Sequence, residues 1–325
     1  MTSAALANIE REGIYRQFPR IPTYLRQYKP FGPLEENDDL GRLKRYAVEG
    51  AGFPYTYYQG ATPEGSYNAV HAEMDMSRFA AELYRHAIPK ALTNEPDWLE
   101  AYARATAYDY WAARMNLLRT RDTYAAAHID GRLSEYYERL VPDMLPYLVP
   151  AIVDCLALGW ELWALRLARD VLWAIEKQLI GEPERRHAHL CILQMIADWQ
   201  GWDGPKLARA ARADPLYELL VAHWAAPSVE DVSRLILAAC DRHTHQARPD
   251  SSKADYDFPL SGLKYRPYVA LTIMKMRELR GLAIPQLDHV LLNTNLGKLT
   301  APLAEYTDDL LNGVIGHARK VYPGL

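Results

Sequence analysis

Apolar residues recur at steps of three and four positions along most of the chain after residue 65. This spacing places them on one face of a helix. The stretch 97–118 shows the pattern most clearly, with apolar residues at Leu99, Tyr102, Ala103, Tyr110, Ala113 and Leu117. No stretch alternates between apolar and polar residues for long enough to build a sheet. The pattern therefore predicts an all-α protein, built as a multi-helix array of packed helical hairpins.

Glycine and proline residues divide this pattern into helices with short connections. We expect one helix from Asp38 to about Val48, a second from a Ser66 cap to about Ala91, and a third that Asp97 caps. Further helices are expected at about 130–140, 142–158, 160–180, 184–200, 205–213, 214–226, 228–246, 264–280 and 302–320. The helices in the middle of the chain pair at intervals of about 35–45 residues, as in helical-hairpin solenoids. The array is therefore expected to be partly solenoid-like.

The first 65 residues have a different character. They combine short predicted helices, one near the N-terminus and the one from Asp38, with a proline-punctuated extended stretch and a Gly-, Pro- and Tyr-rich loop at 50–65. Proline and glycine at this density interrupt regular structure. We expect an irregular N-terminal arm over residues 1–65 and a single all-α domain over residues 66–325.

Charge narrows the range of partners. The chain has 325 residues, of which 49% are hydrophobic and 24% charged, a composition typical of soluble globular proteins. Its 37 basic and 41 acidic residues nearly balance, which argues against direct nucleic-acid binding. The whole excess of −4 falls in residues 66–180, which carry 12 basic and 16 acidic residues. These acidic residues either form a surface that attracts a basic partner or lie on ordinary solvated helix faces.

Tyrosine is unusually frequent, with 22 residues against 5 phenylalanines. Tyrosine combines a large apolar ring with a polar hydroxyl, which suits surfaces that become buried on binding. The tyrosines of the 50–65 loop either bind a partner or pack against one another. The candidate partner-binding residues are Tyr55, Tyr57 and Tyr58 of this loop and the acidic residues Glu73, Asp75, Glu82 and Asp109.

The densest polar cluster comprises Asp241, Arg242, His243 and His245, followed along the chain by Asp257. A His-x-His pair is a familiar zinc-binding element. However, residues i and i+2 of a helix point about 200° apart. The pair in this cluster can therefore bind one ion only if the helix ends before it. The same restriction applies to a second pair, His187 and His189. We expect no metal at either pair.

Sequence signatures of catalysis are absent. The chain has no G-x-S-x-G elbow, Walker loop or H-E-x-x-H motif, and adjacent carboxylates alone do not make an acid–base pair. The widely spaced Cys155, Cys191 and Cys240 are expected to be buried free thiols. The N-terminus does not read as a secretory signal, and no clean apolar stretch reaches about 20 residues. We expect a cytoplasmic protein that is not an enzyme and binds neither a membrane nor a cofactor.

The C-terminal third carries a longer pattern. An apolar helix leads into the polar cluster, Tyr256-Asp257-Phe258 and Tyr265-Arg266-Pro267 come next, and a second apolar helix ends in Arg277-Glu278-Leu279-Arg280-Gly281. Pro285-Gln286-Leu287-Asp288-His289 closes the pattern. With these motifs, residues 228–292 resemble the closing segment of PoNi-like helical immunity proteins, which protect bacteria from polymorphic toxins, including nucleases of type VI secretion systems.

The resemblance implies a cytoplasmic, non-enzymatic protein that binds a cognate toxin domain, for example a basic nuclease, and blocks its active surface. Within the resembling segment, Gly281 should cap a helix, Pro285 should prevent its continuation, and Asp288 should cap the next turn of the chain. Toxin contacts are then expected elsewhere, on the acidic helices or on the tyrosine-rich loop. Two alternatives stay open: a helical metal-dependent enzyme that uses the polar cluster, and a solenoid-like scaffold that binds a peptide in a concave groove.

Overall fold

The computed structural model describes residues 21–27, 38–55, 65–129, 143–181, 183–202, 214–260, 262 and 264–325. Within these residues the chain forms eleven α-helices, two short 3₁₀ turns and a two-stranded ribbon. The prediction of an all-α, multi-helix array is confirmed. Tyr57, Tyr58 and the helices expected at about 130–140 and 205–213 lie outside the described residues.

The elements succeed one another with short connections. The helices are α1 (Ile21–Gln27), α2 (Asp38–Glu49), α3 (Ala69–Thr93), α4 (Trp98–Ile129), α5 (Leu145–Ala157), α6 (Glu161–Glu176), α7 (His187–Gln200), α8 (Pro215–His223), α9 (Val229–Gln246), α10 (Tyr268–Leu279) and α11 (Asp309–Val321). The 3₁₀ turns are Pro183–Arg185 and Asn295–Gly297. Strands β1 (Pro54–Tyr55) and β2 (Gly65–Ser66) pair antiparallel, with Pro54 opposite Ser66 and Tyr55 opposite Gly65.

Several helices begin later than expected, and in two of them a side chain downstream of the expected start provides the cap. Helix α3 begins at Ala69 because Asn68, and not Ser66, accepts a hydrogen bond from Val70 N at 2.9 Å. Helix α11 begins at Asp309, because Asp308 accepts from the backbone N–H of the third residue of that helix at 2.8 Å. Such caps satisfy amide groups that have no partner inside the helix.

The described residues fall into two compact units. Unit 1 takes residues within 1–27, 91–95 and 141–303, and unit 2 takes residues within 28–90, 96–140 and 304–325. This division differs from the expected arm over 1–65 and single domain over 66–325. The reason is that α2 packs along α11 in unit 2 and buries Leu40, Leu43 and Tyr46 there.

Unit 1 is built around α5 and α10, whose residues are almost all buried. Helices α5 and α6 form a hairpin, and α7, α8 and α9 come next, as expected for stacked hairpins. The departure from a solenoid is α10, which packs against α5, α7 and α9 and not only against its neighbour in sequence. A buried ion pair between Arg266, just before α10, and Asp154 on α5 accompanies this packing.

Unit 2 contains the antiparallel hairpin of α3 and α4. Side chains from the two helices meet in pairs along its length: Phe79 contacts Tyr108 edge to face at 4.9 Å, and Tyr84 contacts Tyr102 at 5.2 Å. All three cysteines of the chain are buried free thiols, as predicted, although they lie in unit 1. Among the described residues, no helix combines the length and apolarity that crossing a bilayer would require.

Candidate partner-binding site

The residues that flank segment 56–64 are held on unit 2 by aromatic contacts. Phe53 stacks on the buried Tyr67 at a ring distance of 4.7 Å. Tyr55 is half-buried, and its Oη lies 2.6 Å from His71 Nε2 on α3. Because His71 Nδ1 accepts from Asn68 N at 3.2 Å, Nε2 carries the ring proton and donates to the Tyr55 oxygen. Of the three candidate tyrosines, Tyr55 therefore packs within the protein.

Glu73 does not lie on an exposed acidic face. The residue is only 4% exposed. Its carboxylate accepts hydrogen bonds from Asn116 Nδ2 at 2.9 Å and from Arg119 Nε at 3.0 Å, both on α4. Burial raises the pKa of Glu73, although these two partners oppose the shift. Its role is to join α3 to α4, which corrects its assignment as a partner-binding residue.

Asp75 is also buried, at 2% exposure. It accepts from Arg42 Nε at 2.7 Å and Nη2 at 2.9 Å, and from the Tyr67 hydroxyl at 2.9 Å. The second carboxylate of this network, Asp39, also pairs with Arg42. Burial, together with the Asp75 charge, raises the pKa of Asp39. These groups tie α2 to α3, so Asp75 is engaged inside the protein as well.

Glu82 is 6% exposed, with Oε1 3.3 Å from His86 Nε2 and Oε2 3.7 Å from Arg85 Nη1. Asp109 is half-buried. The acidic surplus of residues 66–180 is therefore not displayed as one surface by the four predicted carboxylates. Three of them are buried beside basic groups of the same unit: Glu73 beside Arg119 of α4, Asp75 beside Arg42 of α2, and Glu82 beside Arg85 and His86 of its own helix.

An open cleft of about 330 Å³ lies in unit 2, near the turn that joins α3 to α4. We name it the α3–α4 cleft. It is lined by Leu83, His86 and Lys90 of α3, by Asp97, Glu100, Ala101 and Arg104 at the start of α4, and by Tyr306. Apart from the neighbours Glu100 and Ala101, lining residues that follow one another on a helix are three or four positions apart, so each helix presents a single face. The volume is at the lower end of ligand sites, enough for one long side chain.

The charged groups of the α3–α4 cleft are matched by neighbours, with one exception. The ammonium group of Lys90 pairs with Asp97, and this contact lowers the pKa of Asp97. Arg104 Nε lies 3.6 Å from Asp308 Oδ2. The imidazole of His86 faces the carboxylate of Glu82. Glu100 is exposed and forms no ion pair within the part of the chain that the structure describes.

Asp308 fixes the position of Tyr306, which lines the cleft from the segment that precedes α11. Its carboxylate caps α11 at Leu311 N and also accepts from the hydroxyl groups of Tyr108, at 2.8 Å, and Tyr306, at 3.1 Å. Burial, with the nearby Asp308 charge, raises the pKa of Tyr306. The Tyr306 hydroxyl therefore keeps its proton and its hydrogen bond, which holds the ring in place beside the two helices.

None of the residues chosen from the sequence lines the cleft, although Glu82 faces the lining residue His86. The three-residue and four-residue steps on α3 and α4 could have marked the two helix faces. No sequence signal places Tyr306 beside Arg104, because the two residues are far apart in the chain and the fold brings both against Asp308.

The polar cluster of unit 1 lies in the last turns of α9, which continues through Gln246. Its two histidines therefore diverge. His243 is buried and packs on Phe258 at a ring distance of 4.5 Å, with Nε2 3.1 Å from Lys264 O. His245 is half-exposed. The condition for joint metal binding, a helix end before the pair, is not met.

The other members of the cluster hold separate segments of unit 1. Asp241 Oδ1 accepts from His289 Nε2 at 3.2 Å, since His289 Nδ1 already accepts from Leu291 N. Arg242 Nη1 donates to Asp214 Oδ2 at 2.6 Å. The cluster is therefore a set of contacts between α9 and its neighbours, not one site.

Asp257 lies at the N-terminus of α7, where it accepts from Ala188 N at 3.1 Å and from the Tyr217 hydroxyl at 3.3 Å. Burial raises the pKa of Asp257 to about 6. His189 is completely buried against Phe258, and burial lowers its pKa to about 3. One histidine from each pair thus contacts the same ring. Even so, the described residues contain no group of three or more His, Cys, Asp or Glu that could hold a metal ion.

The helix end expected at Gly281 is confirmed. Gly281 has φ +65°, its N–H donates to Glu278 O at 2.9 Å, and Leu282 N donates to Arg277 O at 2.9 Å. These bonds form a Schellman motif, which requires the left-handed conformation that glycine adopts without strain.

Asp288 does not cap the next turn. It is exposed and accepts from the side chain of Asn293 at 2.8 Å. His289 takes the capping role, because its Nδ1 accepts from Leu291 N at 3.1 Å. Imidazole can accept and donate at once, which lets His289 link this turn to α9.

Arg277 is the most deeply buried charge of the resembling segment, at 0% exposure. Its guanidinium donates to three backbone carbonyl groups, Ala283 O at 2.9 Å, Trp224 O at 2.9 Å and Ala226 O at 2.8 Å. It thereby joins the ends of α8 and α10.

Comparison of the chain with family models, with curated proteins and with solved structures returns no match.

Proposed function

We propose that the protein is an immunity protein, which binds a cognate bacterial toxin domain and neutralises it by blocking the active surface of the toxin. The resemblance of residues 228–292 to such proteins supports this proposal. The polar side chains of that segment, including Arg277, His243 and Asp257, make contacts within unit 1. Their role is to maintain the fold, which leaves contact with the toxin to other residues.

The observation that carries the proposal is the attachment of the tyrosine-rich segment to unit 2. Residues on both sides of segment 56–64 pack together and against α3, through Phe53, Tyr55 and Tyr67. A binding segment whose ends are already ordered loses less conformational entropy on association than a free one. Tyr57 and Tyr58 add the amphipathic rings that are enriched in protein interfaces.

The test is protection of growing cells from the protein encoded by the gene adjacent to this one. Co-expression should restore growth, and the purified pair should bind with nanomolar affinity. A peptide-binding scaffold would instead bind several partners with micromolar affinity. Growth arrest despite normal expression of the folded chain would refute the proposal.

A double substitution examines the tyrosine-rich segment directly. Tyr57→Ala combined with Tyr58→Ala should weaken binding by about 10- to 100-fold, because interface tyrosines commonly contribute more than about 1 kcal/mol each. Tyr147→Ala is the matched control, since Tyr147 is 54% exposed but belongs to unit 1. Its affinity should equal that of the wild type. If the double variant and Tyr147→Ala lose the same amount of affinity, this segment is excluded as the contact surface.

A further inference from the structure

We infer that the α3–α4 cleft receives one lysine or arginine side chain of the partner. The inference rests on the proposed function, because it names a second part of the surface that the toxin contacts and the chemistry that the toxin brings to it. It depends on residues separate from Tyr57 and Tyr58, so the two can be tested apart.

The lining of the cleft suits a long aliphatic stem with a charged end. Leu83 and Ala101 contribute apolar surface, and Tyr306 contributes an aromatic ring held by its hydrogen bond to Asp308. Lysine and arginine pack their methylene groups on such surface and keep the charged group near water. A cation beside an aromatic ring gains further electrostatic attraction. The volume of about 330 Å³ admits one such side chain with accompanying water.

The charge of the cleft selects a cation over an anion. Lys90 is paired with Asp97 and Arg104 with Asp308, so both cations of the lining are already neutralised. Glu100 is the lining carboxylate for which the described part of the chain provides no ion pair. A lysine or arginine side chain of the toxin supplies the positive charge that pairs with Glu100. An acidic side chain would meet the Glu100 carboxylate with no uncompensated cation to offset the repulsion.

Glu100 acts at two stages of binding. While exposed, it attracts a basic partner from a distance and raises the association rate. Once covered by the partner, its ion pair strengthens because the surrounding dielectric constant falls. The first effect weakens as salt is added, since the Debye length shortens to about 8 Å at physiological ionic strength.

Binding of the protein encoded by the adjacent gene, measured for wild type and four variants, tests the inference. Glu100→Lys should weaken binding at least 10-fold, and Glu100→Gln by about 3- to 10-fold. Ala101→Met narrows the cleft without changing its charge and should also weaken binding. Glu176→Lys is the control, because it makes the same charge change at an exposed position of unit 1 and should bind like the wild type. Thermal unfolding of each variant confirms that it is folded.

The outcomes separate the inference from the proposed function. Losses for the Glu100 and Ala101 variants, with none for Glu176→Lys, support the cleft as the receptor for a basic side chain. Wild-type affinity in Glu100→Lys, or an equal loss in Glu176→Lys, overturns the inference and leaves the proposed function intact. No binding by the wild-type chain refutes the proposed function, and the inference with it.

Discussion

Two glycines of α11 offer a controlled test of how α2 and α11 pack. A Cβ atom added to Gly313 would lie 2.7 Å from Ala47 O, 2.8 Å from Ala47 Cβ and 3.1 Å from Ala47 Cα. Two of these contacts are backbone atoms, which cannot rotate away. A Cβ atom added to Gly316, one turn further along α11, would meet nothing within 4 Å. Alanine at these two positions should therefore change stability in opposite directions.

The magnitudes come from two contributions. Gly→Ala inside a helix stabilises by about 1 kcal/mol, since alanine loses less backbone entropy on folding. This gain applies equally at both positions. At Gly313 an overpacking penalty of about 1–3 kcal/mol opposes it. We expect Gly316→Ala to stabilise unit 2 by about 0.5–1 kcal/mol, and Gly313→Ala to be less stable than Gly316→Ala by about 1–3 kcal/mol.

Urea unfolding followed by far-UV circular dichroism gives the free energy of unfolding of each variant. Hydrogen–deuterium exchange of peptides covering 38–49 and 309–321 localises the effect to α2 and α11. If Gly313→Ala is as stabilising as Gly316→Ala, α2 and α11 do not approach as closely as described, and the steric argument fails.

Three further predictions concern unit 1. Arg277→Met buries no charge but removes the donor to three backbone carbonyl groups, and it should destabilise the protein by about 3–5 kcal/mol in urea unfolding. The exposed Arg280→Met should have an effect below about 1 kcal/mol, and similar effects would contradict the structural role of Arg277. Because burial raises the pKa of Asp257 to about 6, the protonated form is favoured in the folded state, and its contribution to stability is full below about pH 4 and lost as pH rises through 6. Relative to Asp257→Asn, the wild type should thus lose up to about 3 kcal/mol between pH 4 and pH 7, and a difference that does not vary with pH would refute this assignment. His243→Ala should destabilise by about 2–4 kcal/mol through lost packing on a buried ring, while His245→Ala should be nearly neutral, and the reverse order would mean that α9 is rotated from the described orientation.

The fold class was predictable because its signals are local. Helical periodicity and glycine or proline breaks involve residues within one or two turns of each other. The end of α10 at Gly281 is one example, since the Schellman bonds connect residues only a few positions apart. The start of α11 was missed because several residues before Asp308 also fit a helical pattern, and the side chain that caps the helix decided between them.

The candidate site was less predictable, because exposure is a property of the whole fold. Glu73 and Asp75 have the sequence context of surface carboxylates, yet both are buried in ion pairs with cations of other helices. Glu100 lies on a helix of the same hairpin and stays exposed. The amino-acid composition does not distinguish these three carboxylates, although of the three only Glu100 is exposed and available to a partner.

The sequence alone determined that the chain is helical, where most of its helices lie, and that its cysteines are buried free thiols. Periodicity and local breaks contain that information. The tertiary structure decided which charges are exposed and where a cleft forms. Arg104 and Tyr306 both contact Asp308, although they are far apart in the sequence. Burying a charge is tolerated only where a partner of opposite sign is packed against it. Such partners come from distant parts of the chain, and only the folded arrangement brings them together.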